Sequence, residues 1–181
     1  MAQPEFDAEA AIFTQEELCV VAGLPRATVD AWLFRGNLEK PKVAGRTLRG
    51  VRLFSALAIF EAKFIGELVT LLDIGPSEAA KVLKCDWNAK NADWKLNVVQ
   101  AVDRSVPRAS VYLLIKRRGG GWITQICHGD KDGPLEIGKG YEKWLVEAFA
   151  VLPISLMLTT VLKGCKEIRN SSDEPKMRGK R

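Results

Sequence analysis

Hydrophobic residues near the start of the chain follow the spacing of a short helix with one buried face. Leu18 and Val21 lie three residues apart, and Thr14 precedes them with Glu17 three residues after it. A threonine followed in this way by a glutamate is a capping box, which satisfies free backbone N–H groups at a helix start. Gly23 suits the left-handed cap at the other end. The pattern therefore predicts a first short helix between Thr14 and Gly23.

A second helix is predicted directly after this glycine. Pro25 has a fixed φ that suits a first helical position, and Val29, Trp32 and Leu33 then point inward before Gly36. Two short helices joined by a tight turn with glycine form the helix-turn-helix pattern. Six positions counted from Gln15 carry the residue types that this packing requires: Leu18, Cys19, Gly23, Leu24, Val29 and Trp32. This position assigns Trp32 to the core, with base stacking as its alternative role.

Residues 37–83 alternate between β-type and helical patterns. Gly45 and Gly50 interrupt short β-prone pieces, which predicts a small hairpin. Ser55 then caps a helix whose apolar residues follow steps of three and four: Leu57, Phe60, Phe64, Leu68 and Leu71. A glycine-proline pair ends this helix, and Ser77 is predicted to cap a short helix after it.

The remainder of the chain mixes β-type and helical patterns. Two β-type runs, 111–116 and 122–127, flank a glycine triplet and predict a hairpin, to which residues 135–137 add a third strand. Residues 141–168 have a helical pattern that Pro153 interrupts or kinks. The sequence as a whole therefore predicts an α+β fold.

The distribution of charge changes this picture more than the total does. The 181 residues carry a net charge of +5, and 47% of them are hydrophobic, which excludes a wholly disordered chain. Residues 1–25 carry five acidic and no basic side chains, whereas residues 26–53 carry seven basic and two acidic ones, or 7 − 2 = +5. Such a basic block indicates a polyanionic partner.

The sequence offers no set of residues for metal binding or catalysis. The four cysteines are far apart with no CxxC pair, and His128 is the only histidine, so an ordinary zinc site is excluded. Cys127 beside His128 resembles a catalytic dyad, but residues at a strand end are the better interpretation. The glycines 119–121 lack the lysine of a phosphate loop and predict a hairpin turn. We therefore expect no enzyme activity, no metal and no cofactor.

Two further features bear on the compartment. No apolar signal segment begins the chain, because acidic residues interrupt residues 1–11, so a cytoplasmic protein with reduced thiols is expected. Residues 144–162 are mostly apolar but include Glu147 and Pro153, which favours a core or subunit-contact helix over a membrane span. No membrane partner is expected.

Residues 13–83 resemble the DNA-binding domain of the MerR-type winged helix-turn-helix regulators. The matching segments are Phe13-Thr14, Gly23-Leu24-Pro25-Arg26-Ala27-Thr28-Val29, Arg35-Gly36-Asn37-Leu38, Gly50-Val51-Arg52-Leu53-Phe54-Ser55 and Ile74-Gly75-Pro76-Ser77. Asp30 stands where this family usually has a basic residue, and Ala31 replaces an aromatic residue beside Trp32. The resemblance implies a transcription regulator that acts as a dimer.

The residues expected to contact DNA lie on the second helix and the predicted wing. A helix of this type enters the major groove, while the wing reaches the flanking backbone. The candidates are Arg26, Thr28, Asp30, Arg35, Lys42, Arg46, Arg49 and Arg52. Asp30 is expected either to pair with Arg26 one turn back or to accept a hydrogen bond from cytosine. Arg52 has the alternative of bracing the hairpin from inside.

The expected organisation is two domains with flexible ends. A mobile acidic leader (1–12) precedes the winged helix-turn-helix (13–84), a linker (85–105), a small α+β domain with a hairpin and a C-terminal helix (106–168) and a disordered basic tail (169–181). The C-terminal helix has more apolar residues than a small hairpin covers, which indicates a partner surface, most simply on a second copy of the chain. The domain is expected to mediate dimerisation or to sense a signal. The residues predicted for dimerisation are Trp144, Leu145, Phe149, Leu152 and Leu156.

The function predicted from these observations is sequence-specific binding of double-stranded DNA, in a MerR-like transcriptional regulator. One alternative is an architectural DNA-binding protein of the excisionase kind, which uses the same small domain. Another is a winged-helix module that contacts protein instead of DNA.

Overall fold

The computed structural model describes residues 7–41, 52–85, 110–129 and 150–173 of the chain. Within these ranges the elements are α1 (Gln15–Ala22), α2 (Arg26–Phe34), α3 (Ala56–Leu72), α4 (Pro76–Leu83), β1 (Ser110–Arg118), β2 (Gly121–Gly129), β3 (Ala150–Leu152) and α5 (Ile154–Asp173). Helices combined with a three-stranded antiparallel sheet confirm the α+β class. The predicted linker, apart from Cys85, lies outside the described residues.

Helix α1 begins and ends as its sequence predicts. The Thr14 hydroxyl accepts a hydrogen bond from the backbone N–H of Glu17 at 3.3 Å, and the Glu17 carboxylate accepts one from the Thr14 N–H at 2.6 Å. Gly23 has a φ of +71° and closes the helix in the left-handed region. Both ends are therefore fixed by local interactions that the sequence encodes directly.

Helix α2 starts one residue later than predicted. Pro25 is its N-cap and not its first residue, and the Pro25 carbonyl accepts hydrogen bonds from the N–H groups of Thr28 and Val29. Val29 and Trp32 are buried, so the assignment of Trp32 to the core is confirmed. The chain leaves α2 through Gly36, whose φ is +71°.

Helices α3 and α4 pack against each other, and both contribute buried residues to the core. Ser55 caps α3 as predicted, because its hydroxyl accepts a hydrogen bond from the N–H of Ala58 at 3.1 Å. The prediction of Ser77 as the cap of α4 is wrong, since Gly75 occupies that position and Pro76 begins the helix. The Ser77 hydroxyl instead donates to the side-chain oxygen of Asn37 at 2.8 Å, which ties α4 to the exit of α2.

Strand β1 lies in the middle of the sheet, in the order β2-β1-β3. The predicted hairpin is confirmed: β1 and β2 are antiparallel, and the turn residues Gly119 and Gly120 both have positive φ. Glycine adopts this conformation without steric cost, as two-residue hairpin turns require. Val111, Leu113 and Ile115 on β1 join the hydrophobic core.

The prediction of one helical segment from residue 141 is wrong over residues 150–152. These residues form β3, in which Leu152 pairs with Leu113 and Ala150 pairs with Ile115. A helix that ran through residues 150–152 and on past Pro153 would lack one hydrogen bond, because proline has no N–H group. Pairing with β1 instead gives the backbone groups of residues 150–152 their partners. Residues 135–137, predicted as the third strand, lie outside the described residues.

Both predicted flexible ends are partly ordered. Helix α5 continues to Asp173, so residues 169–173 of the predicted tail are helical, while residues 174–181 lie outside the described part. In the predicted leader, the Ala8 carbonyl accepts a hydrogen bond from the N–H of Leu57 at 3.3 Å. Ala8 also packs against the core.

Helix α5 packs against α1, α3 and β1, so one hydrophobic core joins the first four helices to the sheet. The contact with α1 is close, because a Cβ atom added at Gly164 would lie 3.1 Å from Cγ1 of Val21. Residues from both predicted domains therefore contribute to the same core. Among the described residues, no helix is long and apolar enough to cross a membrane.

Candidate nucleic-acid interface

The pair of helices α1 and α2, here called the α1–α2 unit (residues 15–34), has a buried inner side and an exposed outer side. Val29 and Trp32 point into the core, and Leu18 on α1 is fully buried with them. The opposite side of α2 is exposed and carries Arg26, Ala27, Asp30, Phe34 and Arg35. This outer side of α2 is therefore available to a partner without any change in the packing of the helix.

A polar network crosses the outer side of the α1–α2 unit. Nη1 of Arg26 lies 3.2 Å from Oε1 of Glu16, and Nε of Arg26 lies 3.9 Å from Oδ2 of Asp30. Nε2 of Gln15 donates a hydrogen bond to Oδ1 of Asp30 at 2.7 Å. The predicted pairing of Asp30 with Arg26 is confirmed. Gln15 and Glu16 were missed, because their contact with α2 depends on how the two helices cross.

The network orients its side chains more than it stabilises the fold. The side chains of Arg26, Glu16 and Asp30 are 64%, 80% and 53% exposed. Ion pairs this exposed contribute about 0–1 kcal/mol, because water screens them and the side chains lose rotamer freedom. One arginine and two carboxylates together give this patch a charge of 1 − 2 = −1.

The remaining predicted contact residues fall into two groups. Thr28 is half-buried in the first turn of α2, Arg35 is exposed as the C-cap of that helix, and Arg52 is exposed. The hairpin that Arg52 has the alternative of bracing lies, apart from its last residues, outside the described part of the chain. The structure brings Arg26 and Asp30 together but places no described contact between them and Arg52. Lys42, Arg46 and Arg49 lie outside the described residues.

The segments on either side of residues 42–52, here called the basic stretch, are fixed to the core. On one side, the N–H of Glu39 donates to the carboxylate of Glu61, which is 1% exposed on α3, at 2.9 Å. On the other side, Phe13 and Phe54 form a backbone bridge with N–H···O distances of 3.0 and 2.7 Å. The role of Glu61 was missed; its signal is a carboxylate at a position within the apolar pattern of α3.

Phe34 is the other outer residue that the sequence analysis missed. It is the last residue of α2 and is 92% exposed. A phenyl ring in water at this level of exposure contributes nothing to the core of the protein. Phe34 therefore extends the outer side of α2 with an apolar surface one turn beyond Asp30.

The cysteines do not form a reactive or metal-binding site in the part of the chain that the structure describes. Cys19, Cys85 and Cys165 are free thiols, and no group of three or more potential metal ligands occurs there. Burial, together with the nearby charge of Glu17, raises the pKa of Cys165 to about 12. A protonated, buried thiol is a poor nucleophile. Cys127 and His128 lie near the end of β2, as expected.

The predicted dimerisation surface is only partly consistent with the structure. Leu152 is 4% exposed in β3, where it pairs with β1, so its prediction as a surface contact is wrong. Leu156, near the start of α5, is 63% exposed. Trp144, Leu145 and Phe149 lie outside the described residues.

Comparison of the chain with models of known protein families finds no match, and comparison with curated proteins finds no significantly similar sequence.

Proposed function

We propose that the chain is a sequence-specific duplex-DNA-binding protein, a MerR-like transcriptional regulator that acts as a dimer. The observation that carries this proposal is the α1–α2 unit. Its second helix has a buried inner side and an exposed polar outer side, and it is joined to the first helix by a left-handed glycine turn. This arrangement suits a helix that enters the major groove while the first helix supports it.

Most of the attraction to phosphate is assigned to the basic stretch that follows α2. Within the α1–α2 unit the acidic side chains outnumber the basic ones by three to one, so this unit alone does not attract a polyanion. Residues 42–52 contribute Lys42, Arg46, Arg49 and Arg52 with no acidic residue. In this proposal α2 contacts the bases, and the basic stretch binds the phosphates.

In this proposal Leu156 lies in the dimer interface, because it is the one predicted contact residue that the described structure leaves exposed. Two copies that read two half-sites gain affinity without any new contact per copy. We expect sedimentation equilibrium to give a dimer and Leu156→Glu to shift it toward monomer. A monomeric wild-type chain that still binds DNA would contradict the dimer and leave DNA binding intact.

The experiment that tests DNA binding is a fluorescence-anisotropy titration of a labelled random-sequence duplex at 50 and 200 mM salt. If several phosphates are neutralised, log K falls with log salt with a slope of about −0.9 for each phosphate contacted. The double variant Arg46→Ala/Arg49→Ala should make this slope shallower by about 2.

The matched control is Lys163→Ala/Lys166→Ala, which removes the same charge from exposed positions on α5. We expect the control to leave the slope nearly unchanged. Absence of binding by the wild type at 50 mM salt would overturn the proposal. Equal slopes for both double variants would overturn the role of the basic stretch.

A second candidate function is a winged-helix module that binds another protein. Phe34 favours it, because a phenyl ring that is 92% exposed on the outer side of α2 is typical of a residue covered by a protein partner. The same titration separates the two functions, since a protein-binding module has no affinity for random duplex that depends steeply on salt.

A further inference from the structure

The polar network on α2 has a charge that is unusual for a surface that meets DNA. Arg26 forms two ion pairs, with Glu16 and with Asp30, at N···O distances of 3.2 and 3.9 Å, and the charges of the three side chains sum to −1. A carboxylate brought against phosphate is repelled. It also loses its hydration, which is costly unless a hydrogen-bond donor replaces the water.

Few groups in the major groove can supply such a donor. The edges of the bases present donors only at the N4 amino group of cytosine and the N6 amino group of adenine. Asp30 already accepts a hydrogen bond at Oδ1 from Gln15, at 2.7 Å, whereas its Oδ2 lies 3.9 Å from Arg26, beyond hydrogen-bond distance. The carboxylate is therefore held by Gln15 at one oxygen, while the Asp30 side chain as a whole is 53% exposed.

Arg26 distinguishes between the two bases. It lies one helical turn before Asp30, so both side chains share one face of α2. Guanine presents two acceptors, O6 and N7, to the fork of an arginine, whereas adenine presents only N7. Cytosine N4 and guanine O6 are neighbours on the same base pair. The Asp30 carboxylate as acceptor and the Arg26 guanidinium as donor, side by side, therefore match a C·G pair better than any other base pair.

We propose that α2 recognises a C·G base pair, in which Asp30 accepts a hydrogen bond from cytosine N4 and Arg26 donates to guanine O6 and N7. This inference rests on the proposed DNA-binding function and names the base pair that the outer side of α2 selects. Glu16 contacts the guanidinium of Arg26 and contacts neither base in this proposal, so it offers a matched charge in the same patch.

The test is a selection of bound sequences from a random duplex pool with the wild type, Asp30→Asn and Glu16→Gln. We expect the wild type to enrich a C·G pair at one position of its site. Asp30→Asn should change that position toward adenine, because an amide bonds to N6 and N7 of adenine. Glu16→Gln removes the same charge from the same patch and should retain the C·G pair.

Titration with two duplexes then measures the size of the effect. Replacing the selected C·G pair by A·T should weaken binding of the wild type about ten-fold or more and that of Asp30→Asn less than about three-fold. All three proteins should retain one melting temperature, because both substituted side chains are more than half exposed.

The outcomes separate this inference from the function on which it rests. If the wild type selects no duplex, DNA binding and the C·G inference are both overturned. If the wild type selects a site without a C·G pair, or if Asp30→Asn keeps the wild-type preference, only the C·G inference is overturned.

Discussion

Two arginines with similar exposure serve different regions of the molecule. The Arg26 side chain on α2 is 64% exposed and lies 3.2 Å from Glu16, while the Arg117 side chain on β1 is 61% exposed and lies 3.4 Å from Glu78 on α4. The guanidinium of Arg117 also lies over the indole of Trp122, 5.7 Å from the ring centroid. Arg117 therefore joins α4 to the hairpin, whereas the described contacts of Arg26 are all with polar groups of the α1–α2 unit.

The comparison indicates that an ion pair alone does not distinguish an arginine that joins two elements of the fold from one that is open to a partner. At the junction of α4 and the hairpin, an aromatic ring covers one side of the guanidinium and the ion pair links two distant parts of the chain. On the outer side of α2, the ion pairs link residues of one small unit and leave the surface open to solvent. The neighbours of each guanidinium decide its role.

The largest expected effect separates the two sides of α2. Trp32→Ala should lower the free energy of unfolding by about 3–5 kcal/mol, because it removes a large buried side chain and leaves a cavity. Phe34→Ala, on the same helix, should change it by less than about 0.5 kcal/mol, since Phe34 is 92% exposed. Urea denaturation followed by circular dichroism measures both. Similar losses for the two variants would contradict the assignment of inner and outer sides.

The pH dependence of stability tests the packing beneath the α1–α2 unit. Burial raises the pKa of Cys165 to about 12, above the 9.0 of a free thiol. The folded state therefore retains a proton that the unfolded chain loses from about pH 9 upward, so this contribution to stability is intact below pH 9 and is lost as pH rises toward 12. The slope is at most about 1.4 kcal/mol per pH unit.

Cys165→Ala is the variant that isolates this effect. Denaturation between pH 7 and 10.5 should show a smaller loss of stability with pH in the variant than in the wild type. The other titrating groups are common to both proteins and cancel in the difference. Parallel curves for the two proteins would mean that the Cys165 thiol is not buried as described.

The smallest expected effects on stability come from replacing each of the two arginines by alanine. Arg117→Ala should lower the free energy of unfolding by about 1 kcal/mol, because it removes a cation–π contact and an ion pair together. Arg26→Ala should cost less than about 0.5 kcal/mol but weaken DNA binding about ten-fold. Thermal melting and the anisotropy titration, applied to both variants, check this prediction. If Arg117→Ala weakens DNA binding as strongly as Arg26→Ala, the distinction between the two regions fails.

The sequence predicted the elements whose signals are local. The capping box of Thr14, the Ser55 cap and the glycine turns at residues 23 and 119–120 all lie within a few residues of the structure they produce. Each satisfies backbone groups of its own segment, so no distant partner is needed. The pairing of Asp30 with Arg26 belongs to this class, since one helical turn separates them.

The sequence did not predict features that depend on distant partners. Residues 150–152 have an apolar pattern that suits a helix or a strand, and only the free edge of β1 makes them a strand. Ser77 resembles a helix cap but donates its hydroxyl to Asn37, forty residues away. Glu61 is buried in an apolar helix because a backbone N–H from another segment reaches it.

The sequence by itself determined both ends of α1, the start of α3, the turn of the hairpin, the burial of Val29 and Trp32 on α2, and where the basic charge is concentrated. Local hydrogen bonding, hydrophobic spacing and composition fix these features. Only the tertiary structure decided that Gln15 and Glu16 meet the charged side chains of α2, that Leu152 is buried in a sheet, and that Phe34 remains in solvent. These outcomes depend on how separate elements cross and pack against a common core, which no single segment encodes.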